Sequence, residues 1–203
     1  MKLIGKSNEA EMIAEFLKGE YNSERFGSEL KKALSASKAD TKLISEPNLA
    51  DKKENAQRKK LLGEYRGYGR NKGLFENFPD KNITWHKATF RSSELKKVKY
   101  INYNYWTKLS DETRLATDAA KNILAGKIIF KQSNDRFFKA AEAIKRGRSF
   151  PRLIFLSRDE NSPVVVLEGH VRLTAYMLAP ERIPDPLEVI IGFSEKLDEW
   201  NLY

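Results

Sequence analysis

The sequence predicts an α+β fold: a small mixed sheet with flanking helices and a helical extension at its N-terminal side. Three observations predict it. Residues Pro163–Leu178, PVVVLEGHVRLTAYML, carry an apolar run, Val164–Leu167, that stops at Glu168-Gly169-His170-Val171-Arg172. Leu173, Tyr176 and Met177 then recur at helical spacing, the pattern of strand, tight turn and helix. Two further apolar runs, Leu153–Leu156 and Leu187–Ile191, have the length of buried strands. The first third of the chain, by contrast, repeats its apolar residues with a helical period.

Taken in order, Asn8–Lys18 places Met12, Ile13, Phe16 and Leu17 on one face with Glu9, Glu11 and Glu15 toward water, an amphipathic helix. Ser23 is placed to cap a second helix carrying Phe26, Leu30 and Leu34. Residues 35–49 read as a loop with Leu43 and Ile44 tucking back, and Asp51–Glu64 as a charged helix with a solvated face. Asn82–Phe90 alternates as a strand. Ser92 or Ser93 caps a short helix, and the aromatics of Val98–Trp106 are expected to build core, with the wall of a binding cleft as the alternative. Ser110, with acids just after it, is expected to open a helix over 113–125. The sheet is expected from residues 82–90, 128–130, 152–157, 163–167 and 187–192, flanked by helices at 113–125, 134–146 and 170–178. Three segments follow: residues 1–64 as the helical extension, 65–124 as a basic, aromatic connection, and 125–203 as the module proper.

The chain has 203 residues, 40% of them hydrophobic, enough for one good core. No stretch reaches the length of a membrane span, and the start, MKLIGKSNEAEM, turns charged too soon for a secretory signal, so no membrane partner and a cytoplasmic location are expected. The chain has no cysteine, which excludes disulfides and thiolate metal sites, and only two histidines, His86 and His170, which argues against a histidine-rich zinc site. No metal ligand is assigned to a side chain. The net charge is +9, and residues 61–124 carry +5 of it. Such an excess suits nucleotides, nucleic acid or acidic surfaces without choosing among them.

The chemistry is concentrated at the corner after Leu167. A glycine there can take positive φ, and the amides of the first helical turn lack partners, so an anion fits. His170 and Arg172 stand where both could reach the same phosphate or carboxylate, with Gly169 and Val171 offering backbone. The plainer alternative makes Gly169 a turn and pairs Arg172 with an acid. A second candidate is Tyr65-Arg66-Gly67-Tyr68-Gly69-Arg70, where flexible backbone, ring faces and guanidinium groups could hold a ligand through Arg66, Tyr68 and Arg70. Against it stands a surface loop in which Arg66 and Arg70 pair with Glu64 and Glu76. Arg114, a cation in the first turn of the expected helix, opposes the dipole, so either a local acid offsets it or it points at a ligand. Contact between the N-terminal helices and the module would leave a cleft above the Gly169 turn, bordered by the Tyr65–Arg70 loop.

Over roughly residues 125–194 the sequence resembles the ParB/sulfiredoxin-like superfamily, whose mark is a G-x-x-R turn between a core strand and a helix. The flanks agree: a helix with Phe137, Ala141 and Ile144, then Gly147 and Pro151 before the strand, and a closing strand at Leu187–Ile191. The resemblance implies a nucleotide phosphate at Gly169, His170 and Arg172, and Glu168 matches the acidic residue often found just before the glycine. Sulfiredoxins carry a cysteine in this turn, so their thiol route is excluded here. The helix-turn-helix that follows the nucleotide module in ParB proteins is expected to be absent, the sequence closing at Tyr203.

The leading expectation is a phosphotransferase or NTP hydrolase using ATP or CTP with Mg²⁺. In it the turn amides, His170 and Arg172 hold phosphates and Glu168 orients the nucleophile, unless Glu168 only caps the turn or pairs with Arg172. The alternatives are a nucleic-acid-binding module or nuclease using the basic middle segment, and a non-catalytic protein that senses nucleotide.

Overall fold

The apolar run before Gly169 becomes the strand next to one edge of a six-stranded sheet, and the helix after it starts at His170. The computed structural model describes residues 1–37 and 39–203; Lys38, within the expected 35–49 loop, lies outside the described residues. The strands are β1 (Lys2–Lys6), β2 (Thr84–Phe90), β3 (Lys99–Tyr100), β4 (Leu153–Ser157), β5 (Val165–Glu168) and β6 (Leu187–Phe193). They form a mixed sheet in the order β1-β2-β6-β4-β5-β3. β1 with β2, β2 with β6, and β4 with β5 run antiparallel, while β6 with β4 and β5 with β3 run parallel. All residues of β4 are buried. Successive side chains point to opposite faces, so both faces of the sheet are covered at its centre. β1, at one edge, is mostly exposed and carries Lys2 and Lys6, a common way of discouraging further strand pairing.

The helices are α1 (Glu9–Tyr21), α2 (Gly27–Ala36), α3 (Lys42–Ser45), α4 (Lys52–Arg66), α5 (Ser92–Leu95), α6 (Asn104–Leu109), α7 (Ala116–Leu124), α8 (Asp135–Lys145) and α9 (His170–Leu178). Asn8 caps α1 by accepting from Glu11 N at 2.9 Å, and Asp51 caps α4 by accepting from Lys53 N at 2.7 Å. α1, α2 and α4 pack together, α8 packs on α9 beside α7, and α1 also reaches β4. No helix among the described residues is long and apolar enough to cross a membrane.

Several expectations need correction. Residues 128–130 are no strand. The place beside β5 is taken by β3, leaving Ile129 in an isolated bridge to Gln132, with Ile128 and Phe130 exposed. Ser110 closes α6, its hydroxyl donating to Trp106 O at 2.8 Å, so the helix expected at 113–125 starts only at Ala116. Asp111, Glu112 and Arg114 all take positive φ, which no helix tolerates in sequence. The charged face of α4 is not wholly solvated. Arg58 is fully buried and donates to Leu43 O at 3.1 Å and Asn48 O at 2.9 Å, fastening the 35–49 segment, where α3 buries Leu43 and Ile44. The aromatics of 98–106 do build core: Tyr100, Tyr105 and Trp106 are buried, Tyr103 exposed. The three expected segments share the sheet and one apolar core, with β1 from the first, β2 and β3 from the second and β4, β5 and β6 from the third.

Candidate functional site

β5 ends at Glu168 and the chain turns at Gly169, whose φ of 103° lies in the left-handed region. A Cβ there would stand 2.4 Å from Leu153 Cδ2, so both backbone angle and space call for glycine. No side chain caps α9, and its first amides, on His170, Val171 and Arg172, start the helix without an acceptor from within it.

Arg172, expected either to reach a ligand or to pair with an acid, takes the second course and is turned inward. Only 7% exposed, it donates through Nη2 to Glu168 Oε1 at 2.7 Å and through Nη1 to the carbonyls of Pro151 and Arg152. The guanidinium ties α9 to the start of β4, and Glu168 is consumed in the same lock, its other oxygen accepting from Gly169 N. α1 closes over this pair at Gly19, where a Cβ would lie 2.3 Å from Glu168 Oε1 and 2.7 Å from Arg172 Nη2. α1 is itself held to β4 by Arg152, which donates to Glu11 Oε1 at 2.7 Å and, through its backbone, to Glu15 Oε2 at 2.9 Å.

His170 lies flat on Trp106, ring centroids 4.9 Å apart and planes 17° from parallel, and its Nε2 is buried without a partner. Burial, reinforced by Arg66 and Arg172, pushes its pKa down to about 3. The imidazole is therefore neutral at working pH and brings no positive charge to an anion.

In front of the corner is a cavity of about 640 Å³, walled by the end of α1 and the turn after it, by α8, and by the corner itself. The expected cleft and this cavity coincide, but the Tyr65–Arg70 loop contributes only Arg66. Tyr68 is buried, its hydroxyl donating to Glu9 Oε1 at 2.8 Å and its ring meeting Phe75 edge-on at 4.9 Å. Arg70 is exposed and pairs with Glu64 at 3.4 Å. Arg114 lies in the link between α6 and α7 rather than opening a helix, and donates to Tyr100 O at 2.8 Å and Tyr203 O at 3.0 Å, clamping the end of the chain. Tyr68 and Arg114 serve the fold, and none of the three lines the cavity. Glu168, Gly169, His170, Val171, Arg172 and Arg66 are brought together at the cavity.

Two further candidates, Arg136 and Glu20, come from places the sequence reading passed over, and they stand beside the expected Arg66. Arg136 on α8 packs its guanidinium between the rings of Tyr105, at 4.9 Å, and Phe137, at 4.8 Å, and its Nε and Nη2 are buried without partners. Arg66 lies over the Phe26 ring at 4.4 Å, its Nε also without a hydrogen bond and 3.4 Å from Glu20 Oε1. Glu20, one residue past Gly19, is 3% exposed and its Oε2 is unpartnered. Burial raises its pKa to about 8; Arg66 works against the rise and Glu168 adds to it. Lys139 and Glu24 pair at 2.8 Å across the mouth, from α8 and from the turn after α1. One signal could have found α8: Arg136, Lys139, Ala140 and Ala143 share a helical face, two cations beside two small residues that leave room.

Seven cationic side chains line the cavity against four carboxylates, so its field favours an anion. Among the described residues no group of three or more His, Cys, Asp or Glu side chains could hold a metal ion. The residues present thus fit Mg²⁺ only as an ion carried on phosphate oxygens and water. No protein family matches this chain, and neither a curated protein nor a solved structure does.

Proposed function

We propose that the chain binds the phosphates of a nucleotide in the cavity before the Gly169 corner, as a Mg²⁺-dependent phosphotransferase or NTP hydrolase. The observation that carries this reading is the convergence of donors on one net-positive cavity: Arg136 with two unpartnered nitrogens, Arg66 with an Nε that makes no hydrogen bond and stands 3.4 Å from Glu20, and the uncapped start of α9. A cavity of about 640 Å³ suits a mononucleotide, and Trp106 and Phe150 in its wall offer apolar surface to a base. In this reading Arg136 and Arg66 grip phosphate oxygens, while Arg172 and Glu168 hold the α9 amides in place. Bound Mg²⁺ would neutralise charge between phosphates. The nucleic-acid alternative draws on the basic middle segment, but of the arginines singled out there Arg114 is spent on backbone carbonyls, Arg70 pairs with Glu64 at the surface, and Arg66 alone lines the cavity, which favours the compact ligand.

Titration calorimetry with ATP, CTP and GTP, with and without Mg²⁺, tests the reading. At least one nucleotide binds, and Arg136→Gln weakens it about tenfold or more, the worth of one charge-assisted hydrogen bond. Absence of binding for all three overturns it. Phosphate release in the same samples separates turnover from sensing.

A further inference from the structure

We propose that Glu20 is a ligand-binding residue of this cavity and that it binds as the neutral acid, giving the hydrogen of its carboxyl group to an anionic oxygen of the ligand. The inference rests on the nucleotide-phosphate reading and extends it to the protonation state in which the site takes its anion.

Glu20 lies on α1, in the wall facing the corner, 3% exposed and with Oε2 unpartnered. The groups around it come from every neighbouring element: Arg66 and Tyr65 from α4, Arg25 from the turn after α1, Glu168 from β5 and Arg172 from α9. Together they compensate it only in part as an anion, Oε2 keeping no partner. The Arg172 guanidinium is used up by Glu168 and two carbonyls. The Tyr65 hydroxyl is divided between Phe26 O, at 3.3 Å, and Glu20. Arg66 approaches to 3.4 Å without a hydrogen bond. Two neighbouring carboxylates with so little compensation do not both ionise, and Glu168 holds the better cation, so the proton stays on Glu20.

A neutral carboxyl group with a free oxygen is an unfulfilled donor beside unpaired guanidinium nitrogens. An ionised Glu20 would repel a phosphate, whereas the acid donates to it. Anion binding therefore requires one proton on the protein, which places a chemical condition on the ligand: it must present an acceptor oxygen that stays unprotonated where Glu20 does not.

The test is calorimetry with ATP and CTP, each with Mg²⁺, from pH 7.5 to 9.5, where the nucleotide itself no longer titrates. In the native chain Kd rises about tenfold per pH unit once Glu20 ionises, the slope of one obligatory proton. Glu20→Gln, whose amide cannot ionise, gives a profile without that rise. Glu20→Leu, which cannot donate, weakens binding about tenfold at pH 7.5, with its fold checked by circular dichroism. A flat native profile, or the same rise in native and Glu20→Gln, overturns the proposal while leaving nucleotide binding intact. If neither nucleotide binds at any pH, the nucleotide reading fails and takes this inference with it.

Discussion

Two arginines on neighbouring helices line the same cavity and do opposite things. Arg172, in the motif that drew the eye, has spent its guanidinium on Glu168 and two backbone carbonyls. Arg136, on a helix with no motif at all, keeps buried nitrogens without partners, its plane held only by Tyr105 and Phe137. Hydrogen bonds already made inside a protein are not available to a ligand, whatever the sequence pattern around them. The corner thus works as a bracket that holds the α9 amides in position, and in the proposed reading the grip on an anion falls to residues of α4 and α8.

Substitutions can set the two walls against each other. Arg172→Ala is expected to cost about 3–5 kcal/mol of folding stability, because it leaves Glu168 buried without its cation. Urea denaturation measures this, and a loss below about 1 kcal/mol would mean that the bracket is not structural. Gly19→Ala should follow. Alanine gains about 1 kcal/mol of helix propensity over glycine, but its Cβ would stand 2.3 Å from Glu168 Oε1 and force the pair apart. A net loss of about 1–3 kcal/mol is expected, and a more stable variant would show that α1 does not close on the pair. Arg136→Gln should change stability by less than about 1 kcal/mol, since it removes ring contacts and no internal hydrogen bond from its unpaired nitrogens.

The walls also titrate differently. The fold keeps a proton on Glu20 up to about pH 8, whereas the unfolded chain releases it near 4.5, so stability falls as pH rises through that window. His170 refuses a proton down to about pH 3 that the unfolded chain takes up near 6.5, so stability falls as pH drops through that range. The two slopes cancel between about pH 4.5 and 6.5 and leave a net loss from 6.5 to 8. Urea midpoints across pH 5–9 should show that decline, and Glu20→Gln should remove it.

Much of the fold was legible because its signals are local. The run 163–178 announces β5, the turn and α9, with α9 matching the expected 170–178. β1 and β3 were missed. They are short and exposed or irregular in pattern, and exist because a neighbour offers an edge. The site was half legible. Glu168, Gly169 and Arg172 were marked by their turn, but whether a guanidinium points in or out depends on which carbonyls lie nearby, and Pro151 and Arg152 are distant in sequence. Arg114 illustrates the same limit: its partners are Tyr100 and the last residues of the chain. Glu20 was hidden because Gly19 reads as the end of a helix, while α1 runs on to Tyr21.

α1 reaches the pocket from the opposite end of the sequence to the corner it covers, so the cavity is assembled like a two-part mould. Its halves join only when the whole chain has folded, and a fragment that kept the hairpin, the turn and α9 but lacked α1 would hold the bracket without the hollow.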